Sequence, residues 1–192
     1  DIYDLAGHVT SCGSWEMRDR VSSQTGSIVR RLLDAGGILV GKTKTVECAL
    51  GGWGTNQHMG TPRNPWDLDH ERVPGGSSSG SGVAVASGIA MCATGSDTGG
   101  SVRLPAAYCG LTGLKVSKAC LPTDGIMPLS DTLDTPGPMA RSVADLALMF
   151  AVMSGVSSVD IDRDMAATAG LFDSKLSILK GLKLGVLDSA ER

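Results

Sequence analysis

The chain has 192 residues and a formal net charge of −3 at pH 7, and 42% of its residues are hydrophobic. This composition is sufficient for a hydrophobic core and excludes a compositionally disordered chain. The chain has no basic stripe or tail, which argues against nucleic acid as its main partner, and no apolar run reaches the roughly 18 residues of a membrane-spanning helix. Five cysteines without a CxxC pair predict free thiols and a cytoplasmic location.

The first half of the chain predicts a helix, a strand and a long loop. The segment TGSIVRRLLDAGG, residues 25–37, predicts a helix that ends at a glycine pair. The next residues, ILVG at 38–41, predict a short buried strand, and a helix followed directly by a strand is typical of an α/β layer. Residues 51–76 are rich in glycine, proline and asparagine and predict a long loop, which in a compact domain is usually functional or disordered.

The second half predicts a further series of helices and strands. In chain order these are a helix over 81–90, a strand over 91–97, a helix over 101–110, a helix over 140–155 and a strand over 182–188. Ser142 is the predicted N-cap of the fourth helix, with Asp145 three residues later. The buried stripe of that helix is predicted from Val143, Leu146, Met149 and Phe150.

Two clusters rich in glycine and serine draw attention to the middle of the chain. They are VPGGSSSGSG, residues 73–82, and GSDTGGSVR, residues 95–103. A flexible linker would separate two independent patterns, whereas these clusters bracket some of the most apolar residues of the chain. Glycine at the edge of a core lets the backbone approach another group closely. We therefore predict a pair of functional loops.

Two familiar chemistries do not fit these loops. Neither cluster has the GxxxxGK[ST] pattern of a phosphate-binding loop or a GxGxxG pattern directly after a strand. The string GSSSG, residues 76–80, matches the GxSxG nucleophile motif of Ser–His–Asp hydrolases but follows a loop instead of a strand. That fold also needs a histidine after the serine, and all three histidines precede it: His8, His58 and His70.

A serine nucleophile with a base other than histidine fits better. An alcohol needs a base to remove its proton, and a lysine with a depressed pKa can serve. The turn DTGGS, residues 97–101, follows a predicted strand and precedes a predicted helix. Its successive backbone N–H groups can converge on an oxyanion, at about 2.7–4 kcal/mol of transition-state stabilisation per donor. The alternative is a tight turn in which Ser101 caps the helix.

The chain resembles the amidase signature family over four segments. These are GGSSSGSGVAVASGIAMCATGSDTGGSVRLPAAYCGLTGLK (75–115), LVGKTKT (39–45), GTPRNPWD (60–67) and LDTPGPMARSVADLALM (133–149). The resemblance covers most of residues 25–155. It implies an α/β fold in which a mixed β-sheet is covered by α-helices on both faces. It also implies that residues 1–192 form a single incomplete domain that lacks N-terminal and C-terminal portions.

The resemblance implies a Ser–cis-Ser–Lys triad and no cofactor or metal ion. Ser101 is the expected nucleophile, and Ser77, after a cis peptide bond, is the expected bridging serine. The backbone amides of Thr98, Gly99, Gly100 and Ser101 are the expected oxyanion hole. The implied reaction is hydrolysis of a carboxylic amide through a serine acyl-enzyme, with release of ammonia or an amine.

The chain departs from the family pattern at the catalytic lysine. By the family motif, this lysine is expected immediately before Asp1, so it is absent from the sequence. Lys42 and Lys44 lie in a segment that matches a different family position, and Lys42 is expected to be a structural or solvated cation. We therefore expect the chain to be a fragment of an amidase that lacks its base.

Several residues near the two loops have candidate supporting roles. Ser78 is expected to hydrogen-bond within the loop, to cap the following helix or to support catalysis. Arg103 is expected either to bind a substrate carboxylate or to form a structural ion pair, and Asp97 is expected to organise the turn. Three further residues are candidates for lining the acyl pocket: Leu50, Gly51 and Gly52.

Three functional classes are compatible with the sequence. The first is a stand-alone hydrolase of a small-molecule amide, as a monomer or homo-oligomer, and the loop over 51–62 resembles bacterial amidases of the biuret, allophanate or indoleacetamide kind. The second is the A subunit of a glutamyl-tRNA(Gln) amidotransferase, which delivers ammonia to partner subunits. The third is a non-catalytic binding protein, for which the absent lysine is the only support.

Overall fold

The computed structural model describes residues 1–156, 160, 181 and 183. Residues 1–156 form one compact unit. The helices and strands of this unit, in chain order, are α1 (Ser27–Asp34), α2 (Ser79–Ala86), β1 (Cys92–Asp97), α3 (Arg103–Tyr108), β2 (Thr112–Gly113), β3 (Thr135–Ala140) and α4 (Val143–Ser154). A short 3₁₀-helix, Glu47–Ala49, precedes the long loop. None of the helices in this described part is both long and apolar enough to span a membrane.

The three strands form an antiparallel sheet in the order β1-β3-β2. Cys92 is opposite Ala140 and Asp97 is opposite Thr135, so the end of β1 lies beside the start of β3. One face of the sheet packs against α3 through a cluster that contains Ala106 and Met139. The other face packs through Cys92 against a larger cluster that includes residues of α1 and α4. Helices therefore cover both faces, and the predicted α/β class is confirmed, although the described strands are all antiparallel.

Two prolines lie in β3, the central strand of this sheet. The carbonyl oxygen of Pro138 accepts a hydrogen bond from the Leu114 amide at 3.2 Å, so Pro138 faces β2. Pro136 faces the same way because alternate residues of a strand point to the same side. The backbone amides of Thr135, Gly137 and Met139 face β1. The missing N–H groups thus lie towards β2, which is only two residues long.

Most of the predicted elements are confirmed, with shifted ends. The structure has helices within 25–37, 101–110 and 140–155, a helix that overlaps 81–90, and a strand within 91–97, and residues 51–76 form neither helix nor strand. Ser142 caps α4, because its Oγ accepts a hydrogen bond from the Asp145 amide at 3.1 Å. Val143 was wrongly placed in the buried stripe and is 55% exposed. The strand predicted over 182–188 lies outside the described residues.

The buried strand predicted over 38–41 is wrong. Ile38 is 89% exposed and Val40 is 67% exposed, and no strand of the described residues pairs with this segment. An apolar run becomes a strand only where a neighbour accepts its hydrogen bonds. The sequence did not predict the strand β3. Its two prolines lack backbone N–H groups, which in a sequence argues against a central strand.

Candidate active site

The two serine-bearing loops meet at the end of β1. The Ser78 amide donates a hydrogen bond to the Ser101 carbonyl oxygen at 3.2 Å, which joins the loops directly. Ser77 is only 1% exposed, and its carbonyl oxygen accepts hydrogen bonds from the Val46 amide at 3.1 Å and the Thr45 hydroxyl at 2.8 Å. The peptide bond between Gly76 and Ser77 is cis, as the resemblance implies. The structure therefore brings Ser77 and Ser101 into one site.

The first glycine-rich cluster is packed in the interior. Residues 74–82 are all buried. A Cβ atom at Gly76 would lie 2.5 Å from the Gly51 carbonyl oxygen, and one at Gly80 would lie 2.6 Å from the backbone nitrogen and oxygen of Lys44. Only glycine allows such close approach of two backbones. The cluster is thus a tightly seated loop and helix start, and a flexible linker is excluded.

The carboxylate of Asp97 organises the loop between β1 and α3. It is fully buried and accepts hydrogen bonds from the amides of Gly100, Val102 and Arg103 at 2.8, 3.1 and 3.2 Å. Burial raises the pKa of the Asp97 carboxyl, but hydrogen bonds from the Arg103 side chain and the Val102 and Arg103 amides outweigh burial and hold the pKa below its usual value. Asp97 is therefore an ionised anchor for the loop.

Arg103 is engaged with this anchor. Its Nε and Nη2 atoms donate to the two Asp97 carboxylate oxygens at 3.1 and 3.0 Å, and its side chain is 53% exposed. The structural ion pair is therefore present. Binding of a substrate carboxylate by Arg103 would compete with this contact.

Gly100 differs from the other residues of the expected oxyanion hole. Its amide already donates to Asp97 Oδ1 at 2.8 Å, so it is directed at the anchor. In contrast, the amides of Gly99 and Ser101 donate no hydrogen bond within the described part of the chain. A Cβ atom at Gly99 would meet nothing within 4 Å, so this side of the loop is open. The role expected for the Gly100 amide in an oxyanion hole stays a prediction, and in this structure that amide bonds to the Asp97 carboxylate.

The remaining candidates lie next to the paired loops. The Ser78 hydroxyl bonds to the backbone of Ser96, accepting from its amide at 3.2 Å and donating to its carbonyl at 3.4 Å. The Gly52 carbonyl oxygen accepts from the Gly76 amide at 2.7 Å, which places Gly51 and Gly52 beside Ser77. Leu50 is 72% exposed.

Lys42 is already engaged away from the serines. Its Nζ lies 2.6 Å from Asp1 Oδ1 and donates to the Val9 carbonyl oxygen at 2.6 Å. Burial lowers its pKa to about 8, an effect that the nearby Asp4 opposes. The expected role as a structural cation agrees with these contacts. Lys44 is exposed.

Asp134 and Thr135 also belong to the site, and the sequence did not assign them a role. The Asp134 carboxylate accepts from the Thr98 hydroxyl, and Thr135 Oγ1 donates to the Asp97 carbonyl oxygen at 3.0 Å. A cavity of about 330 Å³ beside this end of the sheet is lined in part by Ser96, Asp134 and Pro136, and neither Ser77 nor Ser101 lines it. The only sequence signal was their position inside LDTPGPMARSVADLALM, a segment that matches the family.

Comparison with known proteins agrees with this geometry. A family model described as Amidase matches residues 1–192. The chain is 49% identical over 153 residues to the 2-amino-5-chloromuconic acid deaminase of Comamonas testosteroni, a match that covers 80% of this chain and 33% of the deaminase. It is 41% identical over 190 residues to the A subunit of the glutamyl-tRNA(Gln) amidotransferase of Nitrosococcus oceani, over 97% of this chain and 38% of that relative.

A solved structure shows the same likeness in three dimensions. The native peptide amidase from Stenotrophomonas maltophilia superposes with a TM-score of 0.73 at 38% sequence identity, over 86% of this chain and 34% of that chain. The chain spans 33% to 38% of the length of the two relatives matched by sequence. Because the family model matches the whole sequence and the site has the family's paired serine loops, the chain belongs to the amidase family.

Proposed function

We propose that the full-length protein hydrolyses a carboxylic amide through an acyl-enzyme on Ser101. The observation that carries the proposal is the hydrogen bond from the Ser78 amide to the Ser101 carbonyl oxygen. This hydrogen bond lies next to the cis peptide bond before Ser77. This pairing brings two serines together at the end of a strand in a chain of the amidase family. The substrate class is a linear small-molecule amide, and the reaction needs no cofactor.

The proposed reaction has two steps. Ser101 Oγ attacks the amide carbonyl carbon, and its proton passes through the Ser77 hydroxyl to a neutral lysine. The amides of Thr98, Gly99 and Ser101 hold the oxyanion, and the C–N bond breaks as the leaving nitrogen takes a proton back through Ser77. Water then adds to the ester, the carboxylic acid leaves and Ser101 regains its proton.

The base of this proposal is a lysine directly before Asp1 in the full-length protein. The Asp1 nitrogen donates to the Thr43 carbonyl oxygen at 2.8 Å, and two residues further along the same segment Thr45 contacts Ser77. A residue joined to Asp1 would therefore lie close to the bridging serine. The test is to read the codon before Asp1 in the full-length gene, and any residue other than lysine contradicts the assignment.

A fluorophosphonate probe and an amide panel test the proposed nucleophile. In the full-length protein we expect the probe to label Ser101 and ammonia or amine release from at least one amide. Ser101→Ala should abolish labelling and lower kcat by at least about 10³-fold, because the oxyanion donors alone give little turnover. Ser87→Ala, at the exposed end of α2, is the matched control and should keep both.

Two outcomes would contradict the proposal. Normal turnover by the Ser101→Ala variant would remove Ser101 from the chemistry. Absence of both labelling and turnover in the unaltered full-length protein would favour a non-catalytic binding protein instead.

A second candidate function is that of the A subunit of an amidotransferase, and the observation that favours it is the 41% identity over 97% of this chain. In that case the protein would release ammonia from glutamine for partner subunits. Co-purification with a tRNA-binding partner would support this function, and a protein that purifies alone or as a homo-oligomer would support the stand-alone hydrolase. We further propose a cytoplasmic location, which the five free cysteines favour.

A further inference from the structure

The backbone amides proposed to hold the oxyanion need a fixed direction. Hydrogen-bond donors stabilise a transition state most when they are aligned before the reaction begins. Thr98 and Gly99 stand directly after β1 and before α3, so they belong to neither element. The direction of these amides therefore depends on the hydrogen bonds made around Thr98.

The first contact fixes the peptide between Asp97 and Thr98. Its carbonyl oxygen accepts a hydrogen bond from Thr135 Oγ1 at 3.0 Å, and Thr135 is only 1% exposed. A trans peptide is planar, so its N–H points opposite to its C=O. Holding the Asp97 carbonyl therefore also holds the direction of the Thr98 N–H.

The second contact fixes the side chain of Thr98. Its hydroxyl donates to Asp134 Oδ1, while Asp134 Oδ2 accepts from the amides of Leu129 and Ser130 at 2.7 and 2.9 Å. Burial raises the pKa of the Asp134 carboxyl, but the hydrogen bonds from Thr98 and the two amides outweigh burial and keep the pKa below its usual value. The acceptor is thus ionised at neutral pH and rigidly held.

The third contact fixes the far side of the loop. Asp97 holds the amides of Gly100 and Val102, so the loop is anchored both before and after Gly99. The side of the loop at Gly99 is open, with nothing within 4 Å of a Cβ atom there. Gly99 therefore lies in an open segment between two fixed points of the loop, where its amide is held in direction and can be reached.

We propose that Asp134, directly before β3, and Thr135, the first residue of β3, are positioning residues for the oxyanion donors. This inference rests on the function proposed above. In this proposal neither residue touches the substrate or the reacting atoms. They act on Thr98 from outside the loop, Thr135 through the preceding carbonyl and Asp134 through the hydroxyl.

The experiment uses valine and serine variants of the full-length protein. Thr135→Val and Thr98→Val keep the shape of the side chain and remove its hydroxyl, whereas Thr135→Ser and Thr98→Ser keep the hydroxyl. We expect each valine variant to lower kcat by about 10- to 100-fold with little change in KM, because only the transition state needs the aligned amides. The serine variants should restore most of the activity.

A second readout separates positioning from a structural effect. A boronic acid that forms a tetrahedral adduct on Ser101 should bind the valine variants more weakly by about the factor lost in kcat/KM. Thr132→Val is the matched control, because Thr132 is exposed in the same loop and its hydroxyl contacts only Ser130 within the described residues. It should keep full activity and boronate affinity.

The outcomes distinguish this inference from the proposed function. No turnover and no labelling of the unaltered protein would mean that the proposed function itself fails. An active protein whose valine variants keep full kcat and boronate affinity would overturn the positioning role, and so would variants in which only KM rises or in which serine does not restore activity. If Thr135→Val does not fold, the Thr98 pair decides the question.

Discussion

At the scale of single residues, Asp97 is the group that holds the loop between β1 and α3. Its Oδ1 atom accepts from the Gly100 amide and its Oδ2 atom from the amides of Val102 and Arg103. Arg103 adds an ion pair from a side chain that is about half exposed. Exposed ion pairs contribute little to stability, whereas buried amides need an acceptor. The hydrogen bonds from the backbone amides therefore account for most of the stability that the Asp97 carboxylate contributes.

This difference gives a prediction about stability. Asp97→Asn should lower the free energy of unfolding by about 2 kcal/mol, because asparagine keeps only one acceptor oxygen and its NH2 group faces either the Gly100 amide or the Val102 and Arg103 amides, and an amide left without its acceptor costs about 1–3 kcal/mol. Arg103→Met, which leaves those amides bonded, should cost less than about 1 kcal/mol. Urea unfolding of the two full-length variants measures both values. Equal losses would show that the ion pair, and not the set of amides, matters most.

The same carboxylates predict how stability depends on pH. Folding lowers the pKa of both Asp97 and Asp134. Such a group stabilises the fold fully above its unfolded pKa of about 3.9, and this contribution is lost as the pH falls through the lower folded value. We therefore expect these groups to cause no change in stability between about pH 7 and pH 5, and a decline below about pH 4. Urea unfolding at a series of pH values measures the free energy of unfolding at each pH. The difference in this free energy between the unaltered protein and Asp97→Asn should become smaller below about pH 4.

At the scale of elements, α2 is seated directly on an extended segment of the chain. The Gly80 amide donates to the Lys44 carbonyl oxygen at 2.9 Å, and the Ser77 carbonyl, just before the helix, bonds to Val46 and Thr45 of the same segment. The start of α2 and Ser77 are thus held by the same segment, residues 44–46. A side chain at Gly80 would separate them.

Gly80→Ala therefore tests packing against helix propensity. Alanine is a better helix former than glycine by about 1 kcal/mol, which favours stabilisation. The new Cβ atom would lie 2.6 Å from the Lys44 backbone, however, so we expect a net loss of about 2 kcal/mol and weaker labelling of Ser101. Ser87→Ala, at the exposed end of the same helix, should change neither by a measurable amount. A Gly80→Ala variant more stable than the unaltered protein would contradict the close packing of α2 against the Lys44 backbone.

The sequence predicted those elements whose cause is local. Helices α1 and α4 follow apolar periodicity and end signals, such as the Ser142 cap and the glycine pair after α1, and these act within a few residues. The helix that overlaps 81–90 was predicted from its small apolar residues, and the helix within 101–110 from the early position of Pro105. The segment over 38–41 and the strand β3 depend on which neighbour is available, so an exposed apolar run was mistaken for a strand and a proline-containing strand was missed. Strand pairing is a long-range property that local patterns do not contain.

In the candidate site, too, features within continuous motifs were predictable from the sequence, and contacts between distant residues were not. The resemblance identified the paired loops and the cis peptide bond before Ser77, because these lie in continuous motifs. The hydrogen bond from Gly100 to Asp97 and the contacts of Asp134 and Thr135 were not predictable, because each joins residues that are brought together only by the antiparallel pairing of β1 with β3 or by the turn after β1. The chemistry of the nucleophile remains a proposal, and its geometric surroundings come from the fold.

At the scale of the whole described unit, the N-terminal segment is tied to β1, the strand before the loop that carries Ser101. The Tyr3 hydroxyl donates to the Gly95 carbonyl oxygen at 2.6 Å, and the Asp4 amide donates to the Gly125 carbonyl oxygen at 2.7 Å. Burial raises the pKa of Tyr3 well above its usual value, so the phenol stays protonated and keeps this bond. The first residues and the loop before β3 therefore brace the site from one side.

In the sheet of the described residues, the prolines of β3, Ser81 of α2 and Ser78 directly before α2 reduce the number of backbone groups that are free to pair with another strand. An unpaired strand edge invites a strand from another molecule, which can begin aggregation. The Ser81 and Ser78 hydroxyls already occupy the Thr94 and Ser96 carbonyl oxygens on the outer edge of β1. On the other side, Pro136 has no N–H to offer an incoming chain. Replacing these residues to tune catalysis would therefore also risk making the protein self-associate.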